Sequence, residues 1–264
     1  MNTQQPKASI LLSPLTIAWY WVEVWIHVLK GIALLSLWFP FVNPEQKSKL
    51  IREWSLRLLV IFGLQIQINN LKILPSTPFL LASNHISWLD IHAINAMIPV
   101  RFVAKSEVAN WPIFGWMARQ LGTIFIQRNN ARHAKHVAGK LAKVLQSEPI
   151  CIFPEGTSTD GDSVMPFRPN LFEAAILADV PVYPMAINYR STITGLRSKT
   201  AAFIGDMGLL ESMSNIIRDR HLIVELSILS PVSSSIDSTR DRKWLALSCH
   251  EAIITCLKGD QKLM

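Results

Sequence analysis

From Gln65 onward the chain alternates short runs rich in β-branched and aromatic residues with longer stretches of helical periodicity. The runs are QIQINNLKIL, FLLAS, RFVAK, TIFIQR, ICIFP, VPVYPMAI, TAAFIG and LIVELSIL, and helical patterns fill 88–97, 113–120, 131–146, 171–177, 207–217 and 239–257. Strands separated by helices return to the sheet through crossovers, so this pattern predicts an α/β fold: a mostly parallel or mixed sheet flanked by helices. No internal repeat, low-complexity tract or long linker interrupts it, and 65–264 reads as one domain. In such sheets ligands bind beyond the carboxyl ends of strands. Polar residues that terminate apolar runs are therefore the candidates for chemistry.

The front of the chain is different. Ile10 to Val42 reads ILLSPLTIAWYWVEVWIHVLKGIALLSLWFPFV, with Glu23, His27 and Lys30 as its ionisable residues and Trp19, Trp21, Trp25 and Trp38 within it. Indole rings favour the bilayer interface. The stretch from Val24 to Val42 is long enough to span a bilayer, but His27 and Lys30 are costly at mid-depth, and a helix lying in the interface is the alternative. A second apolar helix at 55–64 follows Lys47, Lys49, Arg52 and Arg57, a basic group suited to anionic lipid on the cytoplasmic side. The bland reading is a buried helical hairpin with a solvated charged turn. A signal peptide is not expected, because only Lys7 precedes the apolar stretch and no small-residue cleavage site follows it. Residues 1–64 thus read as a membrane-associated helical segment.

Composition agrees: 50% of the 264 residues are hydrophobic and 17% charged, yet the net charge is +7. An oily, basic chain favours membrane headgroups over nucleic acid, and no zinc-finger or RNA-binding signature appears. Cys151, Cys249 and Cys256 have neither framework nor metal spacing, which suits a reducing compartment.

Four strand ends are candidates for chemistry. In LLASNHISWLDIHA, Ser87 and Asp90 have the spacing of a capping box, which accounts for both without function. It does not account for Asn84-His85 at the end of an apolar strand. A histidine there can bond Asp90, which would fix its tautomer and leave the other ring nitrogen as a general base. Lys105 and Arg128 end two further strands and suit a phosphate-bearing ligand, or are solvated surface charges. In ICIFPEGTSTDGDSVMPFRPNLF, Glu155 leaves a strand, Gly156 permits close approach, Thr157 and Ser158 add hydroxyls, and Arg168 precedes a helix capped by Asn170. The alternative is a polar strand-to-helix turn. VPVYPMAIN, with Pro181 and Pro184, reads as a pocket wall. His85, Asp90 and His92, or His133 and His136, lack convincing metal-ligand spacing, and no metal is expected. A Gly-x-Ser-x-Gly elbow is absent from the sequence.

Taken in order, NHISWLD, GTIFIQR, FPEGT and VPVYP resemble the four blocks of the glycerolipid and lysophospholipid acyltransferases of the bacterial 1-acylglycerol-3-phosphate acyltransferase type. Lys105-x-Glu107, Pro112 and Gly115 fit the intervening segment, and the resemblance covers Phe79 to Pro184. It implies a cofactor-independent enzyme of the inner membrane with its catalytic domain in the cytoplasm. The reaction implied moves an acyl chain from acyl-CoA or acyl carrier protein to a lysolipid hydroxyl. His85 would take the hydroxyl proton, Asp90 would orient it, and the oxygen would attack the thioester without an acyl-enzyme. Arg128 and Glu155-Gly156-Thr157 would hold the polar head, and amides near Ser87 would stabilise the oxyanion. Where phosphatidate-forming members continue FPEGT with Arg, this chain has Ser158. That departure points to other acceptors, including lyso-ornithine lipid and lysophosphatidylcholine, with Arg168 as a replacement charge. A thioesterase using the same pair on water is the nearest rival.

Overall fold

Seven strands form one sheet in the computed structural model, which describes residues 12–127, 131–232 and 241–262. They are β1 (Leu64–Asn69), β2 (Leu80–Ser83), β3 (Arg101–Lys105), β4 (Ile124–Ile126), β5 (Ile150–Ile152), β6 (Val182–Ser191) and β7 (Leu222–Ile228). Their spatial order is β1-β7-β6-β2-β5-β3-β4, and every neighbouring pair is parallel except β6 with β7. The predicted mixed α/β sheet is therefore the observed one. TAAFIG is not a strand. Both edges of β6 are occupied, by β2 and β7, and 200–205 instead folds over the site, with Phe203 N donating to Ile86 O at 2.9 Å.

The helices are α1 (Pro14–Ala33), α2 (Pro44–Ile61), α3 (Leu89–Met97), α4 (Phe114–Gln120), α5 (Ala131–Leu145), α6 (Glu173–Ala178), α7 (Leu209–Asp219) and α8 (Arg242–Lys262). They cover both faces of the sheet, so the central strands are buried on both sides and read as continuous apolar runs. Alternation along β2 sends Leu81 into a cluster shared with α1, α2, α3 and α7, while Leu80 and Ala82 join one shared with α5, α6 and α8. Cys151 and Cys249 are buried in these clusters as free thiols.

Local signals set the N-terminal helices. Ser13 caps α1 with Pro14 in its first turn, and Asn43 and Gln46 form a capping box on α2, again with Pro behind the cap. That box starts α2 earlier than the apolar pattern suggests. Lys47, Lys49, Arg52 and Arg57 consequently lie on the helix itself and not in a turn before it. Val24 and Val28 of α1 and Leu58, Leu59 and Phe62 around α2 share the core with the sheet. His27 faces inward too, stacked on Trp54 at 4.5 Å with Nε2 3.0 Å from Trp54 O. The opposite face of α1 exposes Leu15, Trp19, Val22, Ile26 and Leu29. A π turn (Leu34–Trp38) and a 3-10 turn (Phe39–Phe41) continue it, with Leu37, Trp38 and Phe41 also exposed. By length and composition, 14–41 is the one helix among the described residues able to cross a membrane.

Candidate active site

The chain leaves β2 through Asn84, whose side chain imitates one more residue of strand pairing. Its Nδ2 donates to Ile187 O (3.0 Å) and its Oδ1 accepts from Ile187 N (2.7 Å), tying the strand end to β6. His85 follows at the carboxyl edge of the sheet, with its Nδ1 2.8 Å from Asp90 Oδ2. Asp90 is wholly buried. The same Oδ2 accepts from Ile86 N (2.8 Å) and Ser87 N (2.9 Å), while Oδ1 accepts from Tyr189 Oη (2.7 Å). Capping and the contact with His85 are thus not alternatives here, because one carboxylate makes both. A carboxylate only accepts, so Nδ1 of His85 carries the hydrogen of this bond, and the neutral ring then has its lone pair on Nε2.

Two local expectations need correction. The reciprocal capping box is only half formed: Ser87 Oγ accepts from Leu89 N (3.2 Å), not from Asp90 N, and α3 begins at Leu89. The amides of Ile86, Ser87 and Leu89 are all engaged inside the turn, so they do not offer an oxyanion site. Sequence reasoning also missed two residues. Tyr189 lies 99 residues from Asp90, and the only clue to it was a tyrosine hydroxyl in a buried strand, which needs a partner. Phe153 stacks on the His85 ring at 4.0 Å and limits its rotation.

Glu155 leaves β5 beside this loop and is 2% exposed. Its Oε1 accepts from His85 N and its Oε2 from Met165 N, both at 2.7 Å. The carboxyl group therefore braces the backbone of the histidine rather than facing outward. Burial pushes it up to about 7, against the two amide bonds, which favour the ionised form. Gly156 turns the chain with a φ of 75°, a left-handed conformation that glycine adopts without strain. Ser158 Oγ donates to Phe203 O.

A cavity of about 630 Å³ opens at this point. His85, Lys105, Phe153, Gly156, Thr157 and Ser158 line it, together with Leu34, Leu35 and Phe39 from the N-terminal segment and Ile51 and Trp54 from α2. The site residues and the apolar helices therefore share one space. Arg168 is exposed and absent from the lining, while Arg128 lies outside the described residues. Asn170 caps no helix: it sits within a 3-10 turn (Pro169–Leu171), and Phe172 precedes α6. VPVYP is not the wall either. Val182 to Met185 is buried sheet core, because β6 has a strand on each side. His92 turns toward Trp54 and Trp88, with ring centroids 5.5 and 5.8 Å away.

The family model described as Acyltransferase matches residues 65–188. The lyso-ornithine lipid O-acyltransferase of Pseudomonas aeruginosa is 34% identical over 214 residues, which cover 81% of this chain and 80% of that protein. The chain belongs to the acyltransferase family. The 1-acyl-sn-glycerol-3-phosphate acyltransferase of Neisseria meningitidis is 29% identical to this O-acyltransferase over 82% of the chain and 84% of its own length. The fold of the acyltransferase matches the crystal structure of the 1-acyl-sn-glycerophosphate acyltransferase PlsC of Thermotoga maritima, with a TM-score of 0.65 and 17% identity, over 93% of this chain and 95% of that one. The His85–Asp90 pair and the cavity both lie where the α/β architecture keeps its sites, at the carboxyl ends of the strands.

Proposed function

We propose that this acyltransferase moves a fatty acyl chain from an acyl thioester to the free hydroxyl of a lysolipid, with an aminoacyl lysolipid of the lyso-ornithine type preferred over lysophosphatidate. The observation that carries the reading is the shared cavity, in which a histidine base and the apolar N-terminal helices line one space. Nε2 of His85 accepts the proton of the lysolipid hydroxyl, and Asp90 stabilises the imidazolium that forms. The hydroxyl oxygen attacks the thioester carbonyl. The tetrahedral intermediate collapses, the carbon–sulfur bond breaks, and the thiol leaves with the proton returned by His85.

Two features support the acceptor. Ser158 stands where a phosphate-binding Arg would be expected, and its hydroxyl is turned to Phe203 O, so the position offers no cation to a phosphate monoester. The Pseudomonas relative is itself named for lyso-ornithine lipid. Lysophosphatidate is the second reading, favoured by Lys105 in the cavity lining and by the Neisseria relative. Either acyl-CoA or acyl carrier protein suits a chain of net charge +7.

Residues 1–64 hold the enzyme on the cytoplasmic face of the inner membrane. Leu15, Trp19, Leu29, Trp38 and Phe41 form the lipid-facing surface, and the basic residues of α2 suit anionic headgroups. The test supplies palmitoyl-CoA or palmitoyl-acyl carrier protein to the full-length enzyme in mixed micelles. Lyso-ornithine lipid, lysophosphatidate and lysophosphatidylcholine compete as acceptors. Acylated ornithine lipid is the expected main product. Free fatty acid as the main product overturns the transfer in favour of hydrolysis, and phosphatidate as the main product overturns the acceptor.

A further inference from the structure

His92 is a polar side chain in a place where an apolar one would serve. It lines the cavity together with Trp54, Ile51 and Ile91. Its Nδ1 is buried with no hydrogen-bond partner among the described residues. The flanking indoles cannot supply one: Trp54 Nε1 donates to His27 O and Trp88 Nε1 to Ser212 Oγ. Enclosing an unpaired ring nitrogen is unfavourable, and such a group in a native protein calls for an absent partner. Asn95 lies one turn further along α3, on the same face, and also lines the cavity. Its Oδ1 accepts only a long bond from Val100 N, 3.4 Å, among the described residues.

The chemistry of the missing partner follows from the charge state of the ring. Burial, with His27 nearby, lowers His92 to about 4, so the imidazole is neutral at neutral pH. A neutral imidazole has one N–H and one lone pair, and a carboxamide likewise both donates and accepts. That combination fits a hydroxyl group, which needs one of each, and supplies no positive charge to a carboxylate or phosphate. A half-turn about Cβ–Cγ carries Nδ1 to the opposite edge of the ring.

We infer that His92 and Asn95 form a polar subsite within the cavity that binds a hydroxyl group carried by the lipid chain lying there, and so selects hydroxylated chains over plain ones. This rests on the lysolipid acyl transfer proposed above. This hydroxyl is not the one acylated: it belongs either to the donated acyl chain or, in addition to the acceptor hydroxyl, to the chain already on the acceptor.

Full-length enzyme is assayed in mixed micelles with two sets of substrates. In one, palmitoyl, β-hydroxypalmitoyl and mid-chain hydroxypalmitoyl thioesters compete for one lysolipid. In the other, lysophosphatidates with plain or mid-chain hydroxylated acyl chains, whose acceptor hydroxyl lies on the glycerol in both cases, compete for one palmitoyl thioester. The reading is the kcat/KM ratio of hydroxylated to plain substrate, which does not depend on how much of a variant is folded. A neutral hydrogen bond corresponds to a ratio of roughly five to ten in at least one set. His92→Phe should bring that ratio to about one, and Asn95→Leu should reduce it. A wild-type ratio at or below one in both sets overturns the subsite alone, as does a ratio that His92→Phe leaves unchanged. Absence of transfer to every lysolipid overturns the reaction and the subsite together.

Discussion

The loops that leave β2 and β5 start side by side on paired strands, Ala82 against Ile152, and each contains a buried carboxyl group. Asp90 accepts from four donors, two backbone amides and the side chains of His85 and Tyr189. Glu155 accepts from two backbone amides, one of them the amide of that same histidine, and burial raises it to about 7. Two buried carboxyl groups thus hold different things in place. The nature of the donors decides it: Asp90 holds the His85 ring, which fits the proposed base, whereas Glu155 has amide donors alone and braces the backbone.

The strongest way to break this comparison is mutation of the two loops in parallel. His85→Ala should lower kcat by about 10²–10⁴, the usual loss when a general base is removed. Glu155→Gln should lower it far less, since Gln keeps one acceptor for the backbone and the base remains. Acyl-thioester turnover at saturating lysolipid measures both, and equal losses would erase the distinction between base and brace.

A pH titration of stability sharpens the Glu155 side. In the unfolded chain the group ionises near 4.5, whereas folded it holds its proton up to about 7. Between those values the folded state binds the extra proton, so this residue makes stability fall as pH rises through the window. The change amounts to roughly 3 kcal/mol from a shift of this size. Denaturation midpoints of detergent-solubilised protein should slope downward from pH 4.5 to 7, and Glu155→Gln should remove that component. An identical slope in both proteins would mean the carboxyl group titrates normally.

Tyr189→Phe tests the Asp90 side. It removes the hydroxyl that reaches Oδ1 and keeps the ring, leaving a buried acceptor without its partner at a cost of about 1–3 kcal/mol. The thermal midpoint should fall, with kcat reduced because Asp90 holds the imidazole less firmly. Full activity with a lowered midpoint would restrict Tyr189 to packing.

The smallest expected effect lies further along the β5 loop. Ser158→Arg replaces a neutral hydroxyl by a forked cation, worth about 1–2 kcal/mol toward a phosphate monoester, or roughly tenfold in selectivity. The competition of lysophosphatidate with lyso-ornithine lipid should shift by that factor toward lysophosphatidate. Arg168→Ala is the control. A strong wild-type preference for lysophosphatidate that Arg168→Ala abolishes would move the headgroup away from Ser158.

Much of the molecule was legible from short-range pattern. The alternation after Gln65 required strands and helices in sequence, because a period of two and a period near 3.6 cannot share one conformation. The pairing of His85 with Asp90 was legible as well, since five residues across a strand-to-helix turn lie within reach of one another. The N-terminal run declared its exposed apolar face through tryptophans and leucines that no soluble surface requires. The β character of TAAFIG was legible and wrong, because propensity describes a residue's own preference and says nothing of whether a sheet edge is free.

Only the tertiary structure decided who partners the buried polar groups. Asn84 meets the backbone of Ile187 across 103 residues, Glu155 holds His85 N across 70, and Tyr189 reaches Asp90 across 99. Each of these is a donor or acceptor that burial obliges to find a partner, but the obligation does not name the partner. The order of strands in the sheet does, by bringing the ends of β2, β5 and β6 to one edge. The local chain supplied His85 and Asp90 as a hydrogen-bonded pair, and the fold placed His85 at a cavity that the N-terminal helices help to line.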